Sequence, residues 1–194
     1  MRSIILASLV ALAAPATATA SLDFETGDTS GWVSSGITGA GTGYGAFAPN
    51  SGSYLGYVVA GDAWVYSTLT RIFNLTAGAN IHGVVGFQAG DYWPYDDDAY
   101  LSVNGTNIWT SSVGAVGDYG NSGWVPFSFT APTAGAYSFE LGVRNAYDSG
   151  FSSGAVIDYG AVPEPATWIM MIAGFGMVGF AARGRQTGIA SVSA

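Results

Sequence analysis

Acidic and aromatic residues are interleaved most densely in the run Asp91-Tyr92-Trp93-Pro94-Tyr95-Asp96-Asp97-Asp98, and chemistry is first to be sought there. Carboxylates are hard oxygen ligands, and Ca2+ takes about six to eight oxygens, some of them from backbone carbonyls. Three consecutive Asp repel one another, so the run calls for either solvent or a cation. The alternating spacing, central Gly and closing Glu of an EF-hand loop are absent. Two readings therefore stand: a hydrated turn, and a Ca2+ site with Asp96 and Asp98 among its ligands. Tyr92, Trp93 and Tyr95 beside the carboxylates suit a sugar, because pyranose C–H faces stack on rings while hydroxyls bond to acids. Tyr119 and Trp124 follow a Gly-rich stretch and extend the theme. The competing use of all these rings is burial in or along a sheet.

Other chemistries are excluded or left without a residue to carry them. The 194-residue chain has no Cys, so it has no thiol nucleophile, disulfide or thiolate metal site. A Ser-His-Asp arrangement would have to use His82, the single His, which lies in a strand-like run and is expected to be structural. Gly39 to Gly45 is Gly-rich but lacks a P-loop Lys and leads into no helix, so it cradles no phosphate. Paired carboxylates for glycoside hydrolysis need a cleft and a suitable separation, which a single small sandwich does not offer. The expectation is a protein that is not an enzyme. Between Ser21 and Val162, twelve acidic residues stand against Arg71 and Arg144, a net charge of −10. Such a surface repels phosphates, which excludes nucleic acid as a partner.

The elements that must position these residues are strands. Gly, aromatic and β-branched residues are abundant, which suits short strands joined by tight turns. Strands are expected at Leu22 to Glu25, Tyr54 to Val59, Ala63 to Leu69, Ile81 to Phe87, Trp124 to Thr130, Tyr137 to Val143 and Ala155 to Tyr159. Asn104-Gly105, between Tyr100–Val103 and Thr106–Trp109, predicts a hairpin with a type I′ turn. Ser34 to Pro49 reads as a Gly-rich loop. No segment has helical periodicity. The expected class is all-β, a jelly-roll-like β-sandwich over residues 21–160. Its core is expected from Phe24, Trp32, Phe87, Leu101, Phe139 and Ile157. In such a fold Glu25 and Asp158 form a second carboxylate pair, since first and last strands of a sandwich lie close together. Asp23 shares the face of Glu25 by strand alternation.

Both ends read as targeting segments. Arg2, the apolar run Ile4 to Ala14 and Ala18-Thr19-Ala20 make residues 1–20 a signal peptide cleaved before Ser21. Near the other end, Ala166 to Ala182 is uncharged; its seventeen residues, at about 1.5 Å each, give roughly 25 Å of helix, a short transmembrane span. Trp168 sits where an interfacial anchor belongs, and Arg183 and Arg185 would stay cytoplasmic with the short tail 186–194.

The string PEPATWIMMIAGFGMVGFAARGR resembles the PEP-CTERM family of sorting tails over residues 162–185. Pro163, Glu164, Pro165, Trp168, the apolar core, Arg183 and Arg185 stand in the family's order. The resemblance implies recognition and cleavage near the motif by an exosortase-type enzyme. It also implies an inner-membrane-anchored precursor held by the C-terminal helix, then a place at the cell surface or in an exopolysaccharide matrix. Between the ends, DFETGDTSGW, AGDYWPYDDDAYLSVNG and GAVIDYGAV resemble segments of galactose-binding-like and carbohydrate-binding-module sandwiches. That second resemblance implies a structural Ca2+ where a Phe-Glu step meets an Asp of the last strand, with Asp23, Glu25 and Asp158 as ligands. The expected function is an exported, non-enzymatic structural or adhesive protein; the alternative is a lectin-like module with structural calcium.

Overall fold

Tyr137, Phe139, Leu141 and Val143 recur at every second residue, and all four are buried. Their polar neighbours Ser138, Glu140 and Arg144 point the other way, as strand geometry requires. The same logic builds most of the protein, whose computed structural model describes residues 24–159 and 174–177. In chain order the elements are β1 (Val33–Ser35), β2 (Ile37–Gly41), β3 (Leu55–Val59), β4 (Ser67–Leu75) and β5 (Asn80–Gln88). They continue with β6 (Asp98–Val103), β7 (Thr106–Ser112), the short helix α1 (Val113–Val116), β8 (Val125–Thr130), β9 (Gly135–Arg144) and β10 (Gly154–Asp158).

The strands form two five-stranded antiparallel sheets, β1-β4-β9-β6-β7 and β2-β3-β10-β5-β8. Only β2–β3 and β6–β7 are both consecutive and paired; every other connection passes from one sheet to the other. The six core residues expected from sequence are all buried between the sheets, and Phe139 sits beside Phe73 and Phe129 at ring separations of 5.3 and 5.5 Å. Asn104 and Gly105 have φ of 49° and 77°, the paired positive values of the expected hairpin turn.

The outer faces of the two sheets differ. Every residue of β10 is buried, because the chain between β2 and β3 folds back over that sheet. Phe47 packs there on Leu55 and Val156, and its ring meets Trp124 at 4.9 Å. The flap is tied down by the Trp124 indole N–H donating to Ala48 O (3.1 Å) and by Ala46 N–H donating to Gln88 Oε1 (3.1 Å). The opposite sheet has an open outer face along β4, β9, β6 and β7. Two glycines make room for cross-strand rings: a methyl at Gly39 would run into Tyr57, and one at Gly142 into Tyr100.

Four local expectations are corrected. Phe24 and Glu25 are not in a strand but enter a turn in which Gly27 N–H donates to Phe24 O (2.7 Å). The run from Ala63 becomes strand only at Ser67. Ser34 to Pro49 is not all loop, since β1 and β2 fall partly or wholly inside it; β2 pairs through its backbone with β3, so its poverty in side chains did not prevent it. A helix exists, but only four residues long. Residues 21–161 form one compact unit. In the C-terminal segment residues 174–177 are helical, with Phe175 and Met177 exposed. Among the described residues no helix is long and apolar enough to cross a membrane. The signal peptide expected over 1–20 and most of the helix expected over 166–182 lie outside the described residues.

Candidate ligand-binding site

Strand register places four connections at one end of the sandwich. Val59 and Gln88 both pair with Gly154, Ser67 with Val143, and Asp98 with both Arg144 and Ser112. The segments 60–66, 89–97, 113–124 and 145–153 therefore leave from the same end. Hydrogen bonds stitch them together: Ala60 N–H to Ser153 O and Trp64 N–H to Asn145 O, each 2.9 Å, with Tyr119 N–H to Asp91 O also at 2.9 Å. Asp97 is the hub. Its buried carboxylate accepts from Ala146 N–H (2.8 Å) and from the Ser153 hydroxyl (2.6 Å), and that hydroxyl accepts from Gly90 N–H (3.0 Å).

Large aromatic side chains crown this end. Trp64 is 53% exposed, Trp93 65%, Tyr119 54%, Tyr147 66% and Phe151 68%. Four of them, Trp64, Tyr119, Tyr147 and Phe151, have φ between 49° and 74°. For a bulky L-residue that region costs about 1–2 kcal/mol, and it accumulates where function requires it. The rings are mutually ordered. Tyr92 lies 5.4 Å from Tyr95 and 5.8 Å from Tyr119, and Trp64 stands edge-on to Tyr147 at 5.1 Å. The backbone N–H of Trp93 donates to Asp118 Oδ1 (2.8 Å), which ties its loop to the one carrying Tyr119. The structure thus brings Tyr92, Trp93 and Tyr95 together as a surface group. Sequence reading missed Trp64, Tyr147 and Phe151. Their signal was context: each lies among Gly, Asp, Asn or Ser, and an aromatic residue in a turn-forming stretch has no strand face to fill.

The acidic run separates into individual tasks. Asp91 and Asp97 are buried. Asp96 Oδ1 accepts from Gly114 N–H (2.7 Å) at the start of α1. Asp98 faces the opposite way from Asp97, pairing with Arg144 Nε at 2.8 Å and accepting the Tyr66 hydroxyl. Three consecutive Asp coexist because Asp96 and Asp97, just before β6, and Asp98, its first residue, each meet different partners. Glu25 and Asp158 do meet, at the other end of the sandwich, around residues 50–54. Glu25 accepts from Ser53 N–H (2.9 Å) and Tyr54 N–H (3.0 Å), while Asp158 Oδ2 accepts from Asn50 N–H (2.6 Å) and Ser51 N–H (3.0 Å). Through these four N–H groups the two carboxylates anchor the loop 50–54. Among the described residues no group of three or more His, Cys, Asp or Glu side chains could hold a metal ion. Asp23 lies outside them, as do Pro163, Glu164, Pro165, Trp168, Arg183 and Arg185. His82 is half-buried in β5, with its Nδ1 3.2 Å from Asn80 Oδ1.

Burial, reinforced by repulsion from Asp91, raises the pKa of Asp97 above the ordinary carboxylate value. A group whose folded pKa is raised contributes most stability below its unfolded pKa, and loses that contribution as pH rises through the folded one. Asp97→Asn keeps a carbonyl for Ala146 N–H and removes the charge. As pH rises above the ordinary carboxylate pKa of 3.8, the native protein should therefore lose stability relative to Asp97→Asn. Denaturant titrations of both over a series of pH values test this, and parallel curves would contradict it.

Residues 161–186 match the family model for the PEP-CTERM protein-sorting motif. The chain carries a PEP-CTERM sorting tail. This tail implies export, processing by an exosortase and sorting to the cell surface. The described sandwich is similar to TmCBM61 in complex with β-1,4-galactotriose, at 17% identity and TM-score 0.44, covering 71% of this chain and 90% of that one. It is also similar to Caldicellulosiruptor saccharolyticus CBM27-1 in complex with mannohexaose, at 11% identity and TM-score 0.44, covering 71% and 92%. A cyclase from Fischerella sp. TAU in complex with 4-(1H-indol-3-yl)butan-2-one is similar at 11% identity and TM-score 0.39, covering 66% and 83%. No curated protein matches the chain.

Proposed function

We propose that this PEP-CTERM protein is an exported adhesive module that binds glycan through the aromatic end of its sandwich, without turnover. The observation that carries the reading is the gathering of Trp64, Trp93, Tyr119, Tyr147 and Phe151 at one end, exposed and mostly at positive φ. Such rings add nothing to a core and leave apolar surface in water, a pattern that marks an interaction site. Pyranose rings offer the C–H faces that match them, and Asp118 and Asp148 in the same loops offer acceptors for sugar hydroxyls. The geometry favours the lectin-like alternative over a purely structural role. A matrix protein sorted to the surface by its tail would meet such glycans there.

The test is binding of full-length protein, in a sugar-free detergent, to an array of neutral and acidic glycans. Native protein is expected to bind neutral glycans, and Trp93→Ala combined with Tyr147→Ala should weaken that binding at least about tenfold. Binding to no glycan, or binding unchanged in the double variant, would overturn the reading.

A further inference from the structure

The open outer face of the β1-β4-β9-β6-β7 sheet holds a groove of about 320 Å3, lined by Tyr66, Asp98, Tyr100, Asn107, Thr110 and Ser112 among others. That volume lies at the low end for a small-ligand site, about 300–1,000 Å3. Its floor is a built network. The Tyr100 hydroxyl donates to Glu140 Oε1 (2.6 Å), the Thr70 hydroxyl to Glu140 Oε2 (2.9 Å), and Tyr66 and Arg144 both donate to Asp98. Burial first, then the Asp98 contact, pushes the Tyr66 pKa up to about 12, and burial with Glu140 raises that of Tyr100 as well. Both phenols therefore stay protonated and keep donating inward, so lone pairs are what they offer to the groove.

A floor of phenol and carboxylate lone pairs suits a ligand that brings its own O–H donors. Asp98 and Glu140 against Arg144 leave the groove negative, and the surrounding domain carries −10, so polyanions are repelled. The groove also runs into the aromatic end. The Arg144 guanidinium carbon lies 4.6 Å from the Tyr66 ring centroid on the groove side and 5.2 Å from that of Trp64 on the loop side. Trp64 in turn meets Tyr147. On the other sheet the Phe47 flap packs over Leu55 and Val156.

We propose that the groove continues the loop-end site, so that the ligand is an extended, neutral glycan chain lying from Trp64 and Tyr147 across Tyr66, Tyr100 and Thr110. This rests on the glycan-binding reading above and specifies its ligand: several linked sugars, uncharged, instead of one terminal residue.

Calorimetric titration of full-length protein in sugar-free detergent with cello- and manno-oligosaccharides, from disaccharide to hexasaccharide, tests it. Affinity should climb with chain length, and an acidic control, oligogalacturonate, should bind at least about tenfold more weakly than a neutral chain of equal length. Thr110→Trp, a block at an exposed strand position, and Tyr100→Phe should each lower hexasaccharide affinity about tenfold while leaving the disaccharide within about twofold. Trp93→Ala should weaken both. If the groove variants leave the hexasaccharide unchanged while Trp93→Ala still weakens it, the groove proposal falls and the loop-end reading survives. If native protein binds none of the neutral chains, both fall.

Discussion

Phe139→Ala should cost about 3–5 kcal/mol of folding stability, the largest single loss among the changes considered. The ring is fully buried at the centre of the sandwich and touches Phe73 and Phe129 from the same and the facing sheet. Truncation removes the transfer energy of the ring and leaves a cavity that two rigid sheets close only in part. The contrast is Phe151→Ala, the same chemical change at a residue exposed in the β9–β10 connection. It should stay within about 0.5 kcal/mol of native. Denaturant unfolding of the three proteins measures both. A large loss at Phe151 would mean that the aromatic end serves stability, and would weaken the binding reading at its base.

Asp158→Ala should be the next most damaging, at about 2–3 kcal/mol, because hydrogen bonds to a charged acceptor contribute about 1.5–3 kcal/mol. The carboxylate is buried and holds the backbone N–H groups of Asn50 and Ser51, the point where the flap returns to β3. Two effects oppose each other. Burial raises the pKa of Asp158, so part of the hydrogen-bond gain offsets the cost of drying a charge. The loss after truncation still prevails, since two donors are left without an acceptor. Glu25→Ala should cost less, because that side chain is exposed and water replaces it at Ser53 and Tyr54. Melting each variant in EGTA and in millimolar Ca2+ separates the anchor from a cation site. Equal melting temperatures support the anchor. A calcium-dependent rise lost in Asp158→Ala would show that this carboxylate belongs to a metal site.

Much of the fold was legible because its information is local. Tyr137, Phe139, Leu141 and Val143 announce a buried face by period two, and Asn104-Gly105 announces a turn by its tolerance of positive φ. β2 was not legible. Its Thr-Gly-Ala-Gly stretch buries little side chain, and it is a strand because β3 offers it backbone partners from Leu55 to Val59. Phe24 and Glu25 misled in the opposite sense, since their apolar–acidic alternation is also that of a turn with one residue tucked into the core.

The candidate site divides along the same line. The run from Asp91 to Asp98 stood out by composition, but composition does not say which carboxylate is buried. Asp97 faces inward to Ala146 and Ser153, Asp98 faces outward to Arg144, and all three partners lie over forty residues away. Trp64, Tyr147 and Phe151 join Trp93 only because β3, β5, β7 and β9 all end at the same edge of the sandwich.

By itself the sequence determined the sorting tail, the strand-rich class, the core faces and the absence of thiol chemistry. Each of these is a property of composition or of a short string, and a PEP-CTERM tail is matched as a string. Only the tertiary structure decided which sheet face stays open, which loops share an end and which acids meet, because strand order and register join residues remote in the chain.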